Sequence, residues 1–316
     1  MRYLMITLSL LTFLGCAHGQ ARTESFAIEN LGDGIYVHHG LHLDIDDGYH
    51  GDICNASFIV GSKGVAVIDT GGSFKIGAQL REAIRKVTPL PVLYVINTHV
   101  HPDHIYGNAA FLPSNPNEAK PEFVGHEKLA NTMELRKEQY AKLNAKLLGD
   151  DAKASELVKP TMSVKVNQVA STHLDIGGRT LTLTAHPVAH TNTDLSVMDS
   201  KTNTLFTGDL LFIERTPVLE GDIKGFLNVI EQLKRSHASQ VVPGHGYATK
   251  DWLTALSNEQ RYLNILLTDI RASIKKGETM ESTMNSAAVA EKDKWLLFEI
   301  ANRRNVNTIY PALEWE

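Results

Sequence analysis

The stretch Thr98-His99-Val100-His101-Pro102-Asp103-His104 limits what this chain can become more than any other. It follows Val92-Leu93-Tyr94-Val95-Ile96, a continuous apolar run of the kind a buried strand makes. Side chains two apart on a strand point the same way, so His99 and His101 are expected to face one point beyond the strand's end. Pro102 has no N–H for a ladder and a fixed φ, which stops the strand there. Asp103 then stands where the cap of a helix from His104 to Leu112 would be. One turn of chain offers three imidazoles and a carboxylate, a mixture of nitrogen and oxygen ligands that suits zinc.

Other strand ends carry similar groups. Ala56 to Gly61 and Val65 to Asp69 read as a strand pair, the second apolar throughout and ending in Asp69-Thr70-Gly71-Gly72. Ser73 can cap a helix whose Ile76, Leu80, Ile84 and Val87 lie on one face. Arg179 to Ala185 alternates as a half-buried strand and leads to two histidines, His186 and His190. Leu195 to Asp199 and Thr204 to Thr207 form a hairpin, followed by Gly208-Asp209-Leu210-Leu211-Phe212. An aspartate buried among such neighbours is costly unless a cation neutralises it, so Asp209 is a candidate to bridge two metals. Val241-Val242 is the last short strand, and Pro243-Gly244-His245-Gly246 sets His245 between glycines that allow close approach to a cofactor. From Asp251 onward the chain reads helical, first to about Lys276 and again around Ala287 to Asn302.

The first nineteen residues have the form of a secretory signal. Arg2 gives a positive start, Leu4 to Leu14 an apolar run too short to span a bilayer, and Ala17-His18-Gly19 a small-x-small cleavage site. A lipid anchor at Cys16 ranks below simple cleavage, because Phe13 and Leu14 fit the acceptor box poorly. Export, to a bacterial periplasm, is the expectation. Residues 25–250 then form the main domain and 251–316 a helical extension packed on it. Removal of Cys16 leaves Cys54 alone, so no internal disulfide forms, and Cys54 reads as a small buried hydrophobe. A net charge of −5 without a Lys/Arg cluster argues against nucleic acid and leaves a small molecule as the substrate.

The pattern His-x-His-x-Asp-His resembles the signature of the metallo-β-lactamase superfamily, and the resemblance extends over roughly Ser25 to Thr249. It implies an α/β fold, the αββα sandwich of two mixed sheets between outer helices. It also implies His190 rather than His186 as a ligand, because Thr191 and Asp194 follow it. The implied set is His99, His101 and His190 for one metal and Asp103, His104 and His245 for the other, with Asp209 between. Asp69 would brace the histidine loop without ligating. The segment Leu41 to Asp52 would overhang the site, making His42, Tyr49 and His50 candidate substrate contacts. His126 reads as structural. Two zinc ions are the implied cofactors, ranked above iron or manganese because flavodiiron relatives carry Glu in the first motif where this chain has His101. Two metals about 3.5–4 Å apart can share a water and lower its pKa from about 15.7 towards 7, giving a bridging hydroxide that attacks an ester, thioester or amide-type carbonyl. Asp103 has a second possible task, orienting that nucleophile and taking a proton.

Within the superfamily, Gly51-Asp52-Ile53-Cys54-Asn55, Ile68-Asp69-Thr70-Gly71-Gly72, Thr98 to Phe111, Phe206 to Phe212 and Glu314-Trp315-Glu316 resemble the quinoprotein relay system zinc metallohydrolases. Those are exported proteins associated with PQQ-dependent catabolism. Three alternatives stand beside that reading. A β-lactamase of the best-known group would have Cys at 209 and Lys at 212, where this chain has Asp and Phe. A glyoxalase II-like thioesterase shares the bridging Asp, but its basic C-terminal residues find no convincing counterpart, although Lys275, Lys276, Arg303 and Arg304 exist. A non-catalytic metal-binding accessory protein is expected to have lost a ligand, and none is lost.

Overall fold

The computed structural model describes residues 26–45, 49–166 and 172–316. Among these, β1 (Glu29–Gly32), β2 (Ile35–His38), β3 (Ala56–Val60), β4 (Val65–Ile68), β5 (Val92–Ile96), β6 (Glu122–His126) and β7 (Met162–Val164) lie side by side in chain order. Pairing is antiparallel from β1 to β4, where short turns join β1 to β2 and β3 to β4 while the longer segment 39–55 joins β2 to β3. It is parallel from β4 to β7, where longer crossovers do. The crossovers carry α1 (Phe74–Val87), the single turn α2 (Pro102–Ile105) and α3 (Leu129–Leu148).

A second sheet holds β8 (Thr172–Asp175), β9 (Thr180–Ala185), β10 (Leu195–Asp199), β11 (Thr204–Phe212) and β12 (Gln240–His245) in the order β12-β11-β10-β9-β8. Only β11 and β12 pair in parallel there, with α4 (Ile223–Leu233) between them. The C-terminal region adds α5 (Trp252–Lys276), α6 (Met280–Ser286) and α7 (Phe298–Leu313). Both sheets are mixed, and the fold is the expected αββα sandwich with a helical C-terminal region.

Alternation along the strands builds the layers. Val65 and Val67 join the core that includes Leu80 and Ile84 of α1. Ala66 and Ile68 turn the other way, into the core shared with Leu181, Val197 and Phe206 of the second sheet. The far side of that sheet is covered by α4, α5 and α7, through Leu205, Phe226, Leu263 and Ile309. Ser73 caps α1, its hydroxyl accepting from the Ile76 N–H at 3.3 Å.

Four local expectations need correction. Pro102, not His104, opens α2, because its fixed φ suits a first helical position. Asp103 therefore lies inside the first turn and His101 takes the cap position. The helix does not reach Leu112. Gly107 leaves it to lie against Thr70, where a Cβ would meet the carbonyl oxygen at 2.0 Å, and a 3-10 turn over Asn108–Phe111 follows. The strand expected to end at Thr207 runs to Phe212, and its pairing shifts register around Gly208, at φ +52°. The last helical stretch divides into α6, a 3-10 turn over Val289–Lys294, and α7. Ile309, Tyr310 and Leu313 of α7 are buried, whereas Trp315 is exposed. The signal-like segment and Cys16 lie outside the described residues, and no described helix is long and apolar enough to cross a membrane.

Candidate metal centre

The strands of both sheets end at one edge, and the seven expected ligands meet there. His99 follows β5, Asp103 and His104 lie on α2, and His190 sits in the β9–β10 loop. Asp209 lies within β11 and His245 ends β12. One Asp209 oxygen is 3.3 Å from His245 Nε2, 3.4 Å from His190 Nε2 and 3.7 Å from His99 Nε2. Its other oxygen is 3.2 Å from His104 Nε2. Asp103 Oδ2 is 3.5 Å from both His104 Nε2 and His245 Nε2, and His101 Nδ1 is 3.0 Å from His190 Nε2. Among the described residues three groups have ligand atoms close enough to share a cation: His99, His101, His190 and Asp209; His104, Asp209 and His245; and Cys54, Asp103 and His104.

Outer partners fix which nitrogen each ring turns inward. The Thr98 hydroxyl donates to Asp69 Oδ2 at 2.7 Å, so its oxygen accepts from His99 Nδ1–H at 3.0 Å. His104 Nδ1–H donates to the same Asp69 oxygen at 2.8 Å. His190 Nδ1–H donates to the Val218 carbonyl and His245 Nδ1–H to the Ile53 carbonyl, each at 2.6 Å. Each of these four rings is thus held with an Nε2 lone pair facing Asp209, which is how structural partners orient metal-binding histidines. His99 Nε2, His104 Nε2 and Asp209 Oδ1 are buried with no hydrogen-bond partner. Orphaned acceptors converging from several strands fit a cation, since leaving them unmet is costly.

Charge states agree with that fit. Burial drives the His99 imidazole well below its ordinary value, with help from neighbouring His104, and holds His190 down to about 4. Both are neutral, as ligands must be. Burial alone would raise the Asp209 carboxyl, but the imidazoles of His245, His104 and His99 outweigh it and keep it well below the usual range. For His104, burial is outweighed by the Asp209, Asp103 and Asp69 carboxylates, which raise it well above its ordinary value. Without a cation His104 therefore holds a second proton, on Nε2, in the place a metal would fill, because carboxylates aimed at one point attract positive charge there.

Several supports were invisible in the sequence. Glu220, in the β11–α4 loop, places Oε2 3.0 Å from His101 Nε2 and is itself paired with Arg136 of α3. Asn55 secures the His245 turn: its amide donates to the Pro243 and Gly246 carbonyls at 2.8 and 2.7 Å, and its N–H to the Gly244 carbonyl at 2.8 Å. A Cβ on Gly244 would meet Asp209 Oδ1 at 1.9 Å, so this glycine makes room for the carboxylate rather than for a cofactor. Cys54 is buried as expected. Its Sγ–H donates to the Asp103 carbonyl at 2.8 Å, which brings it beside Asp103 and His104 although no spacing in the sequence suggested this.

The remaining candidates divide. Tyr49 is buried over Gly72 with an unpartnered hydroxyl, and burial, then the Asp103 charge, keep it a neutral phenol. His42 Nε2 is 3.2 Å from a Glu214 oxygen, near His245 and Arg215. The His50 side chain is exposed, and what that residue contributes is a backbone carbonyl to Ser73. His186 Nε2 lies 2.7 Å from the Ser196 hydroxyl, and His126 Nε2 is 3.2 Å from the His186 carbonyl. Both of those rings pack behind the site.

A family model described as metallo-beta-lactamase superfamily matches residues 50–245, more than half the chain. Among solved structures, a metallo-beta-lactamase from Pontibacter korlensis aligns at 20% identity and TM-score 0.58, over 75% of this chain and 98% of its own. A beta-lactamase domain protein from Burkholderia ambifaria aligns at 15% identity and TM-score 0.66, over 91% and 89%. The stereoselective inverting sec-alkylsulfatase Pisa1 from Pseudomonas sp. aligns at 15% identity and TM-score 0.69, over 90% of this chain but 50% of its own length. At such identities the likeness is one of fold. A search of curated proteins found no match.

Proposed function

The chain belongs to the metallo-beta-lactamase superfamily, and from that footing we propose that it is an exported dinuclear zinc hydrolase acting on an ester, thioester or amide-type carbonyl. The observation that carries the reading is Asp209, a buried carboxylate whose two oxygens are divided among four inward-facing imidazole nitrogens. His99, His101 and His190 would hold one zinc, Asp103, His104 and His245 the other, and Asp209 would bridge them. Bound zinc would supply Lewis acidity and an activated water at neutral pH.

The chain's own residues supply the rest. Asp69, Val218 and Ile53 hold the imidazoles in one tautomer, so no ring reorients during turnover. Asp103 is less enclosed than Asp209 and keeps a carboxylate oxygen free to accept a proton and return it to the leaving group. Phe212 stacks on the His245 ring at 5.1 Å, shielding it from water where a lactamase of the best-known group would carry a lysine. That favours a general carbonyl hydrolase over a β-lactamase. Residues 1–19 serve export in this reading, 25–250 form the hydrolase domain and 251–316 its extension, with a role in PQQ-linked periplasmic metabolism. The alkylsulfatase likeness adds sulfate esters to the substrates worth assaying.

The test is zinc content of the purified mature protein, beside turnover of an ester, a thioester and a chromogenic cephalosporin. Two zinc per chain with ester or thioester cleavage supports the proposal, and faster cephalosporin cleavage reverses the order of substrates. Asp209→Ala should lose zinc and activity together. Full zinc and full turnover in that variant refute the bridge.

A further inference from the structure

A pocket of about 620 Å³ lies between α3 and the 3-10 turn Gly149–Ala154 that follows it, and none of the seven candidate ligands lines it. That volume is ordinary for a small-molecule site. Tyr106, Ala141, Ala145 and Leu157 give the pocket apolar surface. Asn144 lines it as well, from the buried face of α3 that carries Met133 and Tyr140. This asparagine is 2% exposed, and neither its carbonyl oxygen nor its NH2 group has a hydrogen-bond partner.

Every other buried asparagine among the described residues is satisfied. Asn55, Asn302 and Asn305 each donate to a backbone carbonyl and accept from an N–H or hydroxyl. Asn97 and Asn108 answer one another, each amide donating to the other's oxygen, at 3.1 and 2.7 Å. The polar neighbours of Asn144 on α3 are paired too, Thr132 with Asn192 and Tyr140 with Arg136. An unmet buried carboxamide is costly, and an apolar side chain of similar shape would remove that cost. What its edge calls for is a donor and an acceptor side by side, as in the Asn97–Asn108 pair. A carboxylate would meet the NH2 group and leave the oxygen unanswered. The charged residues at the pocket, Lys137, Lys153 and Glu156, are exposed, and Lys153 is tied to Asp150 at 2.8 Å, so no buried charge selects an ion.

We propose that this pocket binds an uncharged small molecule with a cis-amide edge, such as a lactam or a cyclic ureide, which accepts from the Asn144 NH2 group and donates to its carbonyl oxygen. The site is separate from the candidate metal centre and does not rest on the hydrolase reading. It adjoins that centre through Tyr106, which caps α2 two residues after His104. A site whose buried polar groups pair with a ligand rejects analogues that leave one of them unpaired.

Full-length protein, with and without added zinc, is titrated with caprolactam and with N-methylcaprolactam, and binding is followed by ligand-observed NMR. Caprolactam should bind about tenfold or more tightly than its N-methyl analogue, which has lost the donor. Asn144→Leu should erase that preference and weaken caprolactam about tenfold at unchanged metal content. The same variant should unfold at a temperature no lower than wild type, since an unmet amide has left the interior. Ala145→Trp, at an exposed position lining the pocket, should block binding while leaving the amide in place. The preference for caprolactam should persist without zinc, and a preference that vanishes with the metal would assign the lactam to the metal centre and overturn the proposal. Absence of saturable caprolactam binding, equal affinity for the two lactams, or equal caprolactam affinity in wild type and Asn144→Leu overturns it as well. Should Asn144→Leu fail to fold, loss or retention of binding in Ala145→Trp decides.

Discussion

Asp69→Asn changes one atom and should disarm two ligands. The carboxylate accepts from the Thr98 N–H at 2.8 Å on one oxygen, and from the Thr98 hydroxyl at 2.7 Å and His104 Nδ1–H at 2.8 Å on the other. The backbone N–H cannot reverse, so the new amide must keep its oxygen there and turn its NH2 toward Thr98 and His104. His104 Nδ1 then becomes an acceptor, which moves the proton to Nε2 and removes the lone pair aimed at Asp209. The Thr98 hydroxyl, now accepting from the amide, donates to His99 Nδ1 and reverses that ring as well. The backbone should tolerate the change, since Asp69 sits at φ +56°, where asparagine is well accepted. Loss of an orienting partner costs about 10–100-fold in metal affinity, or roughly 1.4–2.7 kcal/mol, and here the loss applies at each metal position. Competition with a chromophoric chelator measures both zinc affinities, and the thermal unfolding of zinc-free protein controls for the fold. Asp69→Asn that binds both zinc ions within about threefold of wild type would falsify the tautomer account.

Three further outcomes follow from particular contacts. Gly244→Ala should lose zinc, because its methyl must displace Asp209 Oδ1 and push back the Gly208–Asp209 backbone at 2.8–2.9 Å, and a zinc content equal to wild type would show that the strand end adapts. Glu220→Gln should weaken zinc binding about tenfold by releasing His101, an effect seen in chelator competition and absent if Glu220 merely pairs with Arg136. His186 should make the zinc-free protein acid-sensitive: burial, then neighbouring His126, lowers it to about 4, against an ordinary 6.5. The unfolded chain binds that proton first, so the stability is complete above pH 6.5 and lost as pH falls towards 4, by at most about 3 kcal/mol. Urea unfolding of His186→Gln between pH 4 and 7 should show a correspondingly shallower slope, and parallel wild-type and variant curves would exclude His186 as the sensor.

Local pattern went far with this chain, and its failures have causes. The His-x-His-x-Asp-His spacing, the apolar runs before it and the Asp209 strand indicated a metal centre, since period-two strands announce their ends and ligands sit at those ends, while the sandwich was implied by the resemblance to the superfamily. Boundaries failed where tertiary contact overrode propensity. Packing of Gly107 on Thr70 stopped α2 after one turn, and the register shift around Gly208 carried β11 past Asp209.

What the sequence determined by itself was the set of chemical groups at strand ends and the layers that alternation builds. What only the tertiary structure decided was how those groups are held. Glu220 reaches His101 from a loop more than a hundred residues away, and Asn55 fastens the His245 turn from β3's approach. Each of these is a contact between residues remote in the chain, and no spacing encodes which carboxylate a third residue has already taken.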